Sequence, residues 1–487
     1  METRLLIGGE LVSGGGPALT VENPATEAEI ATLATASTEQ VGAAVAAARR
    51  AQRAWGVELS AADRAEALHE VANGLRARTE ELAQLMTAEG GKPLLENRDE
   101  VGWTASAFDF YAELARAEEG RVIPPVERTQ LALVIREPLG VVACIVPWNY
   151  PLLLLAWKLA PVLAAGNAAV CKPSELTPLS TLALAPLFEH LPPGTVNLLA
   201  GAGEVGEHLV EHEGVDGIAF TGSVATGTRI AEHAARRMAR VNLELGGKDA
   251  FIVCPDVAAD IEIAARGGAW AAYLNAGQVC TSAERFYVHE SVYDDFVSAF
   301  VDHTKTLRVG DPTDDQTDIG PMISAGQRAK VTAQVDAAVA AGAEVLTGGG
   351  DAGHARGHYL APVVVVGAAT ETDLLREETF GPVAPIVPVR SLDEAIDLAN
   401  STPFGLGANV YTRDLETMVR CAREIRSGTV WINDPLTDND AGPFGGFKRS
   451  GLGRELGTEG LHAFQEPKHV HIETRIEVKD WWYPYGA

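Results

Sequence analysis

A chain of 487 residues exceeds the size at which one hydrophobic core stops growing, so two or more large domains are expected. With 46% hydrophobic and 22% charged residues, and no apolar run near the roughly 20 residues a membrane helix needs, the composition is that of a soluble globular protein that does not span or bind a membrane. A formal charge of -27 opposes nucleic acid, whose phosphates need a basic surface, and favours solubility and the attraction of cations.

The amino terminus, Met1 to Gly9, has no apolar core of signal-peptide length, and a cytoplasmic location is expected. Five cysteines, odd in number, irregularly spaced and without a CxxC pair, predict neither a disulfide framework nor a metal site. After a Ser37/Thr38 capping signal, Val41, Val45 and Ala48 mark one face of a helix over Thr38 to Arg53. Further helices are predicted over Ser60 to Arg78, Thr79 to Gly90 and Arg98 to Glu119, the last packing Trp103, Phe108 and Tyr111 into a helical layer. Gln130 to Ile135 and Val141 to Val146 flank a turn at Glu137-Pro-Leu-Gly140 and read as a strand pair. Pro151 to Val170, interrupted by Lys158, Pro161 and Gly166, reads as a buried helix.

Apolar strands at Ala168 to Cys171, Thr195 to Leu199, Gly217 to Phe220 and Arg240 to Leu243 then alternate with helices, which predicts parallel α/β organisation with room for a dinucleotide at the strand ends. A second α/β series runs through Asp249 to Cys254, Arg285 to His289, Tyr359 to Val366, Ala384 to Val389 and Thr429 to Asn433. Thr347 to Gly357 is expected to be an exposed Gly-rich turn. The aromatic tail Trp481-Trp-Tyr-Pro-Tyr485 is expected to dock on something.

Cys144, Cys171 and Cys254 fall in strand patterns and Cys421 in a helix, settings that suit small buried hydrophobes. Cys280 differs, because Asn275-Ala-Gly-Gln-Val-Cys280 is a polar, Gly-containing segment between a helix and a strand. Taken alone, it still favours an unreactive thiol over a nucleophile. Gly201-Ala-Gly-Glu-Val-Gly206 has the spacing of a dinucleotide fingerprint, but Thr226 stands where an acidic ribose partner would be required, so a turn capping a helix explains these glycines better.

The ordered set of phrases is more specific than any one of them. Pro147-Trp-Asn-Tyr-Pro151, Lys172-Pro-Ser-Glu175, Phe220-Thr-Gly-Ser223, Leu243-Glu-Leu-Gly-Gly-Lys248, Gly277-Gln-Val-Cys280, Glu377-Glu-Thr-Phe-Gly-Pro382 and Pro443-Phe-Gly-Gly-Phe-Lys448 follow one another in that order. The chain resembles the NAD(P)-dependent aldehyde dehydrogenase superfamily from Asn23 to Glu455, nearest in motif to betaine aldehyde and aminoaldehyde dehydrogenase-like members. The resemblance implies an α/β fold with two Rossmann-like domains. The NAD-binding domain would comprise residues 1–125 and 147–246 and the catalytic domain 247–448, with residues 126–146 and 467–487 forming an oligomerisation hairpin and C-terminal strand and tail. A homodimer or homotetramer is implied.

It also implies roles. Cys280 would add to the aldehyde carbon, making an alkoxide that can lose hydride and leave a thioester. Asn149 and the Cys280 backbone N–H would hold the oxyanion, and Glu244 would activate the hydrolytic water. Read from sequence alone, Asn149 is as well explained as a turn residue. Glu244 sits between Leu243 and Leu245, where a charge is costly to bury without a use, and a helix-terminus or salt-bridge carboxylate is the lesser alternative. For the coenzyme, the implied contacts are Trp148, Lys172, Ser174, Glu175, Gly222, Ser223, Leu245, Glu378 and Phe380, with NAD preferred because Glu175 repels a 2′-phosphate and NADP as a weaker coenzyme.

Tyr150, Trp157 and Phe444 occupy positions similar to an aromatic box for cationic aldehydes, although those relatives carry tryptophan where this chain has Phe444. Asp434, Asp438 and Asp440 add negative charge nearby. The alternatives are a CoA-acylating relative, which Glu244 disfavours; a cysteine hydrolase, whose activating histidine is missing from any motif; and a non-catalytic protein of the same fold, which the joint presence of Cys280, Glu244 and Asn149 disfavours.

Overall fold

The computed structural model describes residues 1–117 and 119–485. Its first helix spans Thr38–Arg53 and is closed by a capping box in which Ser37 accepts from the Gln40 backbone while the Gln40 side chain reaches back to the Ser37 N–H. Ser60 starts Ala61–Ala77 in the same way through Asp63. Thr79–Gly90 ends at a left-handed Gly91, and Leu94–Ala117 begins four residues before the expected start. The expected end of that helix at Glu119 runs across residue 118, which lies outside the described residues, as do 486 and 487 of the expected tail segment. Phe108 and Tyr111 are buried as expected, whereas Trp103 is half exposed and faces a cavity.

An eight-stranded sheet has Val141–Ile145 at its centre. On one side lie Ala168–Lys172 and Val196–Leu198, and on the other Gly217–Thr221 and Arg240–Glu244, all parallel. Antiparallel edges are supplied by Leu5–Ile7 with Glu10–Val12, and by Gly451–Leu452. The central strands are buried along their whole length, as parallel strands covered on both faces must be. The chain leaves the centre toward Val196–Leu198 and then crosses back to Gly217–Thr221, so a topological switch point lies beside Val141–Ile145, where open α/β sheets place their ligands.

A seven-stranded sheet carries, in order, Glu344–Thr347, Val363–Val366, Val383–Val389, Ala283–His289, Asp249–Val253, Gly407–Tyr411 and Thr429–Ile432. All pairs are parallel except the first. Gly407–Tyr411 was not expected as a strand; fully buried on both faces, it lacks the polar alternation that marks an exposed one. One core face of this unit is aromatic, with Phe286 and Phe300 in edge contact at 5.2 Å.

The expected pairing of Gln130–Ile135 with Val141–Val146 does not form. Val141–Ile145 is the centre of the large sheet, while Gln130–Pro138 pairs antiparallel with Gln465–Glu473 and with Arg121–Ile123. The physical reason is burial: Val141–Ile145 is wholly apolar and is covered on both faces, whereas Gln130–Pro138 has polar ends and leaves Leu131 and Ile135 exposed. The Gly-rich turn at 347–357 is largely exposed. The tail aromatics Trp481, Trp482, Tyr483 and Tyr485 are exposed, so the expected docking is not seen within the chain. Among the described residues no helix is long and apolar enough to cross a membrane.

Candidate active site

Asn149, Lys172, Thr221 and Glu244 all sit at or just beyond the carboxyl ends of parallel strands of the first sheet, and Cys280 comes to the same region from the second unit. Cys280 is carried by a sharp turn after the helix Ile261–Tyr273. Asn275, Ala276 and Gly277 are all left-handed, with φ of 49, 56 and 70°. Such geometry costs a non-glycine residue roughly 1–2 kcal/mol and must be held by its surroundings. The bonds that hold it include Asn275 N–H to Glu96 at 3.1 Å, the Gln278 side-chain amide to the Asn275 carbonyl at 3.0 Å, and Ile323 N–H to the Gln278 side-chain oxygen at 2.9 Å. A Cβ at Gly277 would stand 2.3 Å from the Gly381 carbonyl, so only glycine fits there.

The result is a thiol on a rigid loop. Cys280 is half-buried, whereas Cys144, Cys171, Cys254 and Cys421 are buried and all five are free. Desolvation by the surrounding protein pushes the Cys280 thiol well above its ordinary range, and the charges of Glu244 and Asp249 push it the same way. Asn149 is anchored to the same loop: its Nδ2 donates to the Gln278 carbonyl at 3.0 Å, which fixes one amide hydrogen and leaves the second for a ligand. Asn149 and Cys280 line one cavity of about 540 Å3.

Tyr150, Trp157 and Phe444 line that cavity too, with Trp157 and Phe444 rings 4.9 Å apart. One face of Tyr150 is already covered by the Lys92 ammonium at 3.7 Å. Asp438 and Asp440 are in the lining and Asp434 is not; Asp440 accepts from Ser106 Oγ at 2.6 Å. Trp103 and Trp270 complete the aromatic wall. The sequence assigns Trp103 to helix packing and gives no signal for Trp270, because only the fold brings these two helices to the cavity.

Glu244 closes the strand Arg240–Glu244 and is 2% exposed. Its Oε1 has no hydrogen-bond partner in the protein. Burial raises its carboxyl well above the usual carboxylate range, and the Glu455 carboxylate raises it further against the opposing pull of Lys158 and Arg454. The Lys158–Glu455 pair beside it is fully buried at 2.5 Å, and Lys158 also donates to Thr221 Oγ1 at 2.5 Å. Neither partner was singled out in the sequence, where Lys158 only interrupts an apolar run.

A separate groove of about 550 Å3 runs along the strand ends and is lined by Trp148, Lys172, Ser174, Glu175, Gly222 and Ser223. Gly203, Gly206 and Glu207 line it as well. The Gly201–Gly206 segment does start the helix Gly203–Glu211, as expected, and its Gly203 and Gly206 also form a wall of the groove, a role beyond the turn expected of them. Burial lowers the Lys172 ammonium to about 8. Ser223 caps the helix Val224–Ala235 by accepting from Thr226 N–H at 3.3 Å, presenting a helix N-terminus to the groove.

Leu245, Glu378 and Phe380 lie outside the groove lining. Leu245 packs beneath the helix Val224–Ala235, where a Cβ on Gly227 would come within 2.4 Å of it. Glu378 accepts from Gly247 N–H at 3.2 Å, and burial raises its carboxyl to about 7. Phe380 meets Trp148 edge-on at 5.4 Å, which joins this loop to the groove. The loop is tied down by Glu284, which accepts from Thr379 and Phe380 N–H at 2.8 and 2.7 Å and pairs with the buried Lys248 at 2.6 Å.

Residues 12–470 match the model of the aldehyde dehydrogenase family. The chain is 38% identical to the betaine aldehyde dehydrogenase of Bacillus subtilis (strain 168), covering 99% of this chain and 100% of that one. It is 40% identical to the peroxisomal aminoaldehyde dehydrogenase 2 of Pisum sativum, over 95% of this chain and 94% of that one. Among solved structures, a betaine aldehyde dehydrogenase from Staphylococcus aureus in complex with NAD+ superposes with a TM-score of 0.95 at 36% identity, covering 99% of this chain and 97% of that one. An NAD-dependent aldehyde dehydrogenase from Sinorhizobium meliloti gives 0.96 at 39% identity, covering 98% and 96%. A half-buried thiol sharing a cavity with an amide donor, a buried carboxyl with an unpaired oxygen and near-complete coverage by these relatives all agree: the chain belongs to the aldehyde dehydrogenase family.

Proposed function

We propose that this protein is an NAD-dependent aldehyde dehydrogenase acting on a small cationic aldehyde. The observation that carries the reading is the Asn149 amide, which is anchored two residues ahead of Cys280 so that both face one cavity. Cys280 Sγ attacks the aldehyde carbon, and the charge that develops on oxygen is met by the second Asn149 amide hydrogen and the Cys280 N–H. When bound, NAD supplies the acceptor for the hydride that the Cys280 adduct releases, leaving a thioester on sulfur. Glu244 then removes a proton from water as the water attacks the thioester, releasing the acid and regenerating the thiol; its raised affinity for protons makes it a stronger base than an exposed carboxylate.

The groove fits a dinucleotide. It combines a cation at Lys172, a carboxylate at Glu175 suited to ribose hydroxyls and an open helix N-terminus at Ser223 suited to phosphate. In this reading Ser174, Trp148, Gly222 and Leu245 shape the site, and Glu378 and Phe380 hold the nicotinamide end. NADP is the weaker coenzyme because Glu175 repels its extra phosphate. The unit built on the eight-stranded sheet holds the coenzyme and the seven-stranded unit carries the nucleophile.

Cation preference is supported by Trp157, Phe444, Trp103 and Trp270 together with Asp438 and Asp440 around the cavity, and the two relatives' names point the same way. Five free thiols fit a cytoplasmic location. The three-stranded sheet leaves Val122, Leu131, Ile135 and Ile472 exposed and supports association into a homodimer or homotetramer, which light scattering of the purified protein would read directly.

The central test follows NADH absorbance with betaine aldehyde, 4-aminobutanal and butanal, with and without CoA. Aldehyde-dependent NADH formation without CoA is expected, faster with the cations. An absolute requirement for CoA would instead establish the acylating reaction, and no signal with any aldehyde would defeat the proposal.

A further inference from the structure

Two buried charges take no part in the chemistry above. Lys92 is 3% exposed and Glu100 is fully enclosed, and they form an ion pair. A buried ion pair gains little stability over an apolar pair of the same shape, so its use is better sought in what it orients. Glu100 Oε1 accepts from Leu152 and Leu153 N–H at 3.0 and 3.1 Å, capping the helix Pro151–Ala164 that the Asn149 turn enters. Lys92 has three donor directions: one goes to Glu100, one to the Asn149 carbonyl at 3.2 Å, and the ammonium lies 3.7 Å over the Tyr150 ring. The Asn149 carbonyl takes a second bond from Asn275 Nδ2, also at 3.2 Å. Both of its lone pairs are therefore engaged, one by Lys92 and one by the turn that carries Cys280.

We infer that Lys92, held by Glu100, is a positioning residue that locks the Asn149 peptide so that its side-chain amide faces the oxyanion formed on Cys280 addition. The inference rests on the reading of Asn149 as the oxyanion donor. With Lys92 gone, the peptide between Asn149 and Tyr150 keeps one anchor instead of two and can rotate, carrying the amide off target. A displacement near 1 Å at such a group lowers rate by as much as about 100-fold.

The test is a double-mutant cycle read in the first-turnover NADH burst with NAD and 4-aminobutanal or butanal. Lys92→Met is expected to slow the burst about 10- to 100-fold, and Asn149→Ala about 100- to 1000-fold. The double variant should be no slower than Asn149→Ala alone, because the anchor has nothing left to orient. Alkylation of Cys280 by iodoacetamide, which needs the sulfur but no oxyanion donor, should proceed at the wild-type rate in Lys92→Met. If Lys92→Met folds poorly because Glu100 is left unpaired, the neutral pair Lys92→Met with Glu100→Gln carries the same test. Multiplying effects in the double variant, an unchanged burst in Lys92→Met, or alkylation lost in parallel with the burst would overturn the inference. An unchanged burst in Asn149→Ala would overturn the oxyanion reading beneath it.

Discussion

Thr221 and Glu244 face each other in register at the ends of two parallel strands, yet Thr221 Oγ1 receives Lys158 at 2.5 Å whereas Glu244 Oε1 has no partner. An unsatisfied buried carboxyl oxygen costs about 1–3 kcal/mol and is retained where it has a task. Glu244→Gln keeps the shape and removes the base. It should form NADH in a single turnover and then stall, with the acyl-enzyme visible as added mass on the intact protein. Steady-state turnover equal to wild type would remove Glu244 from the mechanism.

Cys280→Ala should abolish aldehyde oxidation while NAD binding, measured by fluorescence titration, stays close to wild type, because the thiol is outside the groove lining. Cys421→Ser should do the reverse. Cys421 is fully enclosed on the helix Leu415–Glu424, so a hydroxyl there should cost about 1–3 kcal/mol of stability with little change in kcat.

The activity of the wild-type enzyme should rise with pH. In the proposed mechanism both Glu244 and Cys280 act in their deprotonated forms, and burial raises the proton affinity of each, so the reactive fraction grows as pH increases from 6 toward 9. In Glu244→Gln the hydrolytic limb of that profile should flatten. A kcat that falls over this range in the wild type would contradict the assigned protonation states.

Coenzyme choice should also depend on pH, through Lys172. Its ammonium is lowered to about 8 by burial, so it is charged at pH 7 and largely neutral at pH 9, whereas a 2′-phosphate stays anionic throughout. The ratio of kcat/KM for NADP to that for NAD should therefore fall across this interval. Glu175→Ala should raise the ratio at pH 7. A wild-type preference for NADP would defeat the role given to Glu175.

Substrate charge should be read by Asp438 more than by Tyr150, one of whose faces Lys92 already covers. Asp438→Asn is expected to lower kcat/KM for 4-aminobutanal severalfold, or roughly 0.5–1 kcal/mol for a charge at a solvent-reached position, and to leave butanal unaffected. Equal losses for both aldehydes would show that the carboxylate does not recognise charge.

Local chemistry made much of this molecule legible in the sequence. Ser37 and Ser60 announce their helices because a hydroxyl before an amphipathic run has backbone donors to satisfy. The ordered phrases around Asn149, Glu244 and Cys280 exposed the family because each couples a reactive side chain to the turn that presents it. What only the tertiary structure decided is where elements distant in sequence come to rest. Val141–Ile145 looks like half of a hairpin until the large sheet supplies cover for both its faces. Gly203 and Gly206 look like turn glycines until the fold sets them in one groove with Lys172. Nothing in the sequence pairs Lys92, Lys158 and Lys248 with their partners, and their burial follows from Glu100, Glu455 and Glu284, which lie 8, 297 and 36 residues away. A charge can be enclosed only once its partner is in place, and for Lys158 and Lys248 that condition is set by the fold as a whole.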